Sequence, residues 1–440
     1  MKKTHSLTLS TIGSAGARLL FVWFLGFSST PAVVAAEPGA EIISSWVALN
    51  APSGHEHLAT GPLSRQLEGW IIERNGNLLK TTGDGNPHRV VACGLDWNAH
   101  AVTQITDDGY LRIHGIGRGT GHPLWDQALE AQQVSVLTRA GPLVGVAGVA
   151  NGHFAAQHRS ETRVVTADDL WLDIGATSAA EVKEMGVQLL DPVVRHLPAW
   201  SFADQIAGPG AGARAGCAAV VAASAAPAGV GRTTWILSTQ RVFGWVGLSG
   251  ALVKLAPVQE LLVLGPGESE RRNEFLGSEN TVVQAEIAEF VGLESVQLLV
   301  PKVADAGALM ERIELTEAES LLRDLMVAAD SPGEELPDWI GAPPPPPPHN
   351  DEPKRLLGGR QGARLNDVAL LLDRLAETPA VPEHEGPVRA IVLQELPGWA
   401  RERVQTDEMG NVWVAVGPES ESTVFMAHMD EVGWGVEVID

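Results

Sequence analysis

His428-Met429-Asp430-Glu431-Val432-Gly433-Trp434 closes an apolar run, Thr423-Val424-Phe425-Met426-Ala427. That run predicts a strand. Side chains two apart in a strand share a face, so His428 and Asp430 are expected to point the same way. An imidazole whose tautomer is fixed by a nearby carboxylate suits a metal centre, with His428 as ligand and Asp430 orienting its ring. A faded copy lies upstream in Arg89-Val90-Val91-Ala92-Cys93-Gly94-Leu95-Asp96-Trp97, with Gly94 at the histidine's place and Asp96 at the carboxylate's. Nineteen positions separate Asn411 from Asp430, and nineteen separate Asn77 from Asp96; each Asn follows a Gly. The chain therefore reads as one α/β unit and the opening part of a second.

Other segments stand in a fixed order around these. Upstream they are Ala51-Pro52-Ser53-Gly54-His55-Glu56, Asp169-Leu170-Trp171-Leu172-Asp173-Ile174-Gly175-Ala176, Arg214-Ala215-Gly216-Cys217 and Val246-Gly247-Leu248-Ser249-Gly250-Ala251. Val381-Pro382-Glu383-His384-Glu385-Gly386 repeats the first loosely downstream. Together with the Gly-Asn and His-x-Asp segments they resemble the M42 family of metallo-aminopeptidases, over most of residues 45–330 and again over 360–440. The resemblance implies a mixed-sheet zinc-aminopeptidase-like α/β domain with an inserted β-barrel-like domain that mediates assembly. It also implies peptide substrates and two divalent ions, zinc or cobalt.

Carried over position by position, the implied metal site fails in the upstream unit. Gly94 replaces the histidine, and Asp96 remains without the ring it would orient. Gly212 replaces the bridging aspartate before Arg214. Gly244 and Trp245 replace the glutamate pair before Val246, and Ala306 replaces the late histidine. Each change leaves a small or apolar residue where a metal needs a donor. The expectation is no metal in residues 37–335, and two divalent ions only in a complete second unit. There His428 would be a ligand and Asp430 its catalytic positioning partner. One imidazole cannot hold a metal, so the remaining ligands are expected beyond Asp440, and the second domain is read as continuing there.

Residues 45–103 alternate helix-like and strand-like patterns, which suits an α/β sheet domain. From about 104 to 180, short β-rich segments punctuated by glycine suggest a small barrel or sandwich. Helices are expected from Ser178 to the glycine at 186, over Glu317–Ala328 and over Asn366–Ala376. Residues 336–356, with Pro343–Pro348, read as a linker, the six prolines forming a polyproline II spacer of roughly 19 Å. Residues 357–440 open the second unit. Asp407-Glu408-Met409-Gly410-Asn411 reads as a turn.

A net charge of −23 argues against electrostatic binding to nucleic acid or an anionic membrane. Residues 1–36 read as a signal peptide: basic Lys2-Lys3, an apolar core over 19–27, then Val34-Ala35-Ala36 before the cut. An uncleaved anchor is the alternative. The mature protein is then secreted or periplasmic, with no membrane association after cleavage. Cys93 and Cys217 each sit in apolar sequence and read as two buried thiols, with a disulfide as the alternative in an exported protein. Two functions follow: an exported aminopeptidase, homo-oligomeric through the β insert and active in its second unit, or a non-catalytic pseudo-peptidase scaffold that binds peptides or partners.

Overall fold

The computed structural model describes residues 38–431, apart from 118–123, 149–155, 158–159, 161, 197–198, 266–281, 332–334, 350–358 and 418–422. The expected signal peptide, Val432-Gly433-Trp434 and part of the linker lie outside the described residues. Two compact units divide after Pro348.

In the first unit the strands are β1 (Ile71–Ile72), β2 (Leu78–Gly83), β3 (His88–Gly94), β4 (Ala99–Ile105), β5 (Leu111–Ile116), β6 (Gln133–Thr138), β7 (Gly141–Ala147), β8 (Leu172–Asp173), β9 (Pro192–Arg195), β10 (Trp200–Phe202), β11 (Gln205–Gly208), β12 (Arg232–Ser238), β13 (Glu260–Leu264), β14 (Ser295–Leu299) and β15 (Glu311–Glu314). The helices are α1 (Pro38–Val47), α2 (His57–Gln66), α3 (Ala179–Glu184), α4 (Ala211–Ala223), α5 (Val246–Leu255), α6 (Ala285–Val291) and α7 (Leu315–Ala328).

The main sheet runs β1-β2-β12-β3-β13-β14. Its β12, β3, β13 and β14 are parallel, while β1 and β2 are antiparallel. Every residue of β3 is buried, as a central strand covered on both faces should be. One face packs against α4, α7 and α2. The other packs against α5 and α6. Helix α4 is buried at every position, and nine of its residues are Ala or Gly. Small side chains let its backbone lie close to the sheet beneath and to α7 beside it.

Cys93 on β3 and Cys217 on α4 meet in this core and are joined as a disulfide, with Cα atoms 5.3 Å apart. Two buried thiols were the expectation. The parallel strand and the helix packed over it bring the two Cβ atoms within bonding reach, which spacing along the chain does not reveal.

The β-rich insert closes as a six-stranded barrel in the order β4-β5-β8-β7-β6-β9 around Val102, Leu111, Val136, Leu143 and Leu172. It begins at Ala99 and ends at Arg195, wider than the expected 104–180, because its first and last strands pair with each other to close it. Helix α3 starts at the Ser178 cap, whose hydroxyl accepts the Glu181 N–H.

The linker differs from its expectation. Leu336, Trp339 and Ile340 pack on the core, and Ala342 is buried. Trp46 donates from Nε1 to Ile340 O at 2.7 Å, and Ala342 N–H donates to Ser45 Oγ at 2.8 Å. Residues 336–342 thus belong to the first unit's body, since their apolar side chains find a surface on α1. Pro344, Pro345, Pro346 and Pro347 are exposed.

The second unit holds α8 (Gly359–Ala376), α9 (Gly386–Glu395), α10 (Gly398–Arg401), and a hairpin of β16 (Gln405–Thr406) and β17 (Val412–Trp413). The strand expected over Thr423–Ala427 is absent: its backbone is irregular, and Phe425 and Met426 are 93% and 91% exposed. A strand needs a neighbour to bond with, and the described residues of this unit supply none there.

Candidate functional site

Strand β3 ends at Gly94, where the family pattern has its histidine. A Cβ placed on Gly94 would land on Cδ and Cγ of Arg241. The space an imidazole would use is therefore filled by an arginine side chain. Its guanidinium lies 5.1 Å from the Trp97 ring centroid, and Nη2 donates to Asp96 O at 3.3 Å.

Asp96 is buried and has work other than orienting a histidine. Its carboxylate accepts from Ser53 Oγ at 2.7 Å, from Arg241 N–H at 2.7 Å and from Val242 N–H at 3.0 Å. Glu56 accepts the Gln240 N–H at 2.8 Å. Asn77 Oδ1 accepts the Thr239 N–H at 2.8 Å, and its Nδ2 donates to Gly247 O at 2.9 Å. Asn77, Asp96 and Glu56 thereby anchor the single segment 239–247, with Ser53 bonded to Asp96. Burial pushes the Glu56 carboxyl up from the ordinary range, and the charge of Asp96 adds to the shift.

That segment carries Gly244 and Trp245, where the glutamate pair would stand. Both have left-handed backbones, φ +88° and +60°, and Trp245 is buried as the first residue before α5. Gly212 lies in the first turn of α4, its N–H donating to Glu311 Oε2 at 3.3 Å. Glu311 Oε1 accepts the Gly307 N–H at 3.2 Å. Glu311 thus links Gly212 to the turn holding Ala306 and sets a buried carboxylate at a helix N-terminus, where the dipole favours it. Arg214, one turn in, is buried. Desolvation pushes its pKa down to about 10, Asp96 pulls it up and Arg241 pushes it down.

Gly94, Asp96, Arg214 and Arg241 therefore form one cluster of two guanidiniums and one carboxylate. A divalent ion there would meet cations where it needs carboxylates and imidazoles, so this donor set does not fit a metal. Among the described residues, no group of three or more His, Cys, Asp or Glu side chains is placed to hold one. Arg241 and Glu311 escaped the sequence reading. The only signal was an arginine three residues before the vacated glutamate pair, whose reach to Gly94 depends on the β3–β12 pairing. Of the insert's histidines, His100 bonds Asp126 Oδ1 at 2.8 Å and stacks on Trp125.

In the second unit, His428 Nδ1 lies 2.8 Å from Asp430 O and 3.4 Å from Asp430 Oδ1, with the imidazole side chain 84% exposed. The two residues do come together, chiefly through the backbone oxygen. The two Gly-Asn turns are alike. Asp407 N–H donates to Asn411 O and Glu73 N–H to Asn77 O, and Gly410 and Gly76 both have φ +88°. Asn411 Nδ2 bonds Asp407, as Asn77 Nδ2 bonds Glu73.

Residues 76–263, covering β3, the barrel and the arginine cluster, match the family model described as M42 glutamyl aminopeptidase. Over that segment the chain is similar to the M42 peptidase family. The lysyl aminopeptidase of Pyrococcus furiosus is 29% identical over 142 residues, 31% of this chain and 40% of that protein. The putative aminopeptidase SgcX of Escherichia coli is 28% identical over 190 residues, 41% of this chain and 49% of that one. The M42 segment thus spans half or less of these curated relatives. Among solved structures, aminopeptidase APDkam598 from Desulfurococcus kamchatkensis superposes with a TM-score of 0.52 at 18% identity, over 68% of this chain and 96% of that one. The Pyrococcus horikoshii TET1 peptidase, which can assemble into a tetrahedron or a large octahedral shell, gives 0.51 at 18%, over 66% and 99%. These likenesses show the fold alone, a mixed sheet carrying a barrel.

Proposed function

We propose that this chain is part of a metal-dependent aminopeptidase-like hydrolase acting on peptides, with a first unit that no longer carries chemistry. The observation that carries this reading is Arg241 filling the place of the missing imidazole at Gly94, while His428 and Asp430 remain side by side in the second unit. The matching Gly-Asn turns support a tandem origin for the two units. Zinc or cobalt would bind in the second unit, with His428 as one ligand and further donors from outside the described residues. Two ions there would lower the pKa of a bound water and polarise the scissile carbonyl. Assembly into a homo-oligomer through the barrel is favoured by the shells formed by the TET1 peptidase. The Cys93–Cys217 disulfide favours an exported, oxidised location.

The test is hydrolysis of aminoacyl-p-nitroanilides with zinc or cobalt by the complete product of the natural gene. The complete product should be active, His428→Ala should abolish that activity, and Arg241→Ala should leave it in place. Chelator-sensitive hydrolysis that survives His428→Ala would put the chemistry in the first unit and defeat the proposal. A complete product inert across many amino-terminal residues would favour the second reading, a non-catalytic peptide-binding scaffold, to which the buried Arg214 guanidinium already lends weight.

A further inference from the structure

Arg214 of the arginine cluster lines a cavity of about 70 Å³ between the sheet domain and the barrel of the first unit. Its polar end is unusual. Arg214 lines it, is wholly buried, and has no hydrogen-bond partner for Nη1 among the described residues. Trp97, another lining residue, has a buried indole Nε1 that also lacks an acceptor among the described residues. Asn98, a further lining residue, has an Oδ1 without a donor among the described residues. Asp96 lends Arg214 a favourable field, but its oxygens already accept from Ser53, Arg241 and Val242. Arg195, the other arginine on the wall, donates to Ala128 O at 3.0 Å. The rest of the lining is largely apolar, including Leu49 and Val193.

A buried guanidinium without an acceptor is costly, and an unpaired indole N–H and amide oxygen add to that cost. Two donors, one of them cationic, call for an anion with two oxygens. A guanidinium pairs best with a planar carboxylate. The lone amide oxygen calls for an N–H close to that carboxylate, and the apolar wall calls for a hydrocarbon side chain. A carboxylate, an adjacent amide N–H and an aliphatic side chain are together the carboxyl-terminal residue of a peptide.

We propose that this cavity binds the terminal carboxylate of a peptide or N-acylamino acid ending in an apolar residue. Arg214 and Trp97 hold the carboxylate, Asn98 Oδ1 accepts the amide N–H, and the side chain lies against Leu49 and Val193. Arg214 stays charged at neutral pH, since its pKa falls only to about 10. The site lies wholly in the first unit and stands whether or not the second unit catalyses.

The experiment is calorimetric titration of residues 37–440 with N-acetyl-L-leucine, N-acetyl-L-leucinamide and inorganic phosphate. The acid should bind at least about tenfold more tightly than the amide, as expected for hydrogen bonds to a charged group. Arg214→Met should erase that preference. If Arg214→Met does not fold, Trp97→Phe serves instead: it removes one donor, keeps the ring, and should weaken the acid several-fold. The Trp97 indole N–H resonance, assigned through the same variant, should shift on adding the acid and stay still with the amide. Equal affinity for acid and amide, no binding of the acid at 10 mM (about the weakest affinity of interest), or an unchanged preference in Arg214→Met or Trp97→Phe would overturn the proposal. Phosphate binding as tight as the acid would show a plain anion site and overturn the peptide assignment.

Discussion

At the scale of single residues, Asp96 and Arg241 decide how the first unit is read. Asp96→Ala removes the acceptor of three buried donors and the nearest negative charge to Arg214. We expect a loss of roughly 3–5 kcal/mol, measured by urea unfolding at neutral pH. Gly94→His should be destabilising because its Cβ meets Arg241. Gly94→His with Arg241→Gly should recover part of that loss, giving a coupling of about 1 kcal/mol or more in a double-mutant cycle; strict additivity would show that the two side chains do not compete. Glu56 gives a pH signature. Its carboxyl is raised in the folded state, so the neutral form is favoured there, and its contribution is fully present below the unfolded pKa and declines as pH rises through the folded one. Glu56→Gln, which keeps an oxygen for the Gln240 N–H, should flatten stability with pH over that acidic window and leave the chain at least as stable above it. That Gly94, Gly212, Gly244, Trp245 and Ala306 stand where the resemblance implies donors rests on the sequence alone. What packs around them was not legible there, because Arg241 reaches Gly94 across a strand pairing and Glu311 reaches Gly212 from 99 residues away.

At the scale of elements, local pattern was a good guide wherever an element is bounded by its own residues. Ser178 caps α3, the periodic run ending at Ala328 forms α7, and short strands between glycines close as the barrel. Pattern failed where an element depends on a partner. Thr423–Ala427 has the composition of a strand and no neighbour among the described residues to make it one. The segment before the prolines failed in the opposite sense: Leu336, Trp339 and Ile340 looked like linker and found a surface on α1. Limited digestion with proteinase K, read by mass spectrometry, should therefore yield a first-unit fragment that retains its residues through Ala342. Termini between 336 and 342 would show that this packing does not persist in solution. Trp46→Phe, which deletes the donor to Ile340 O, should expose that stretch to cutting sooner.

At the scale of the whole molecule, the disulfide spans 124 residues and holds the central strand to the most buried helix. Its reduction should lower stability by roughly 2–5 kcal/mol, seen as an earlier denaturation midpoint with dithiothreitol and mimicked by Cys93→Ser with Cys217→Ser. An unchanged midpoint would mean that the core packs as well with free thiols. The mixed sheet and inserted barrel were readable from the chain, because order and spacing of motifs survive even where side chains change. The disulfide was not, since two cysteines in apolar sequence look the same bonded or free. The clasp between Trp46 and Ile340 also sets the geometry of the first unit as a whole. The last turn of α1 and the closing segment meet at one place, so the closing segment leaves the body beside α1. Joining Pro38 to Pro348 with a bridge long enough to run back along α1, roughly 15 Å, and reopening the chain at a surface turn such as Asp107-Asp108-Gly109 should preserve the fold.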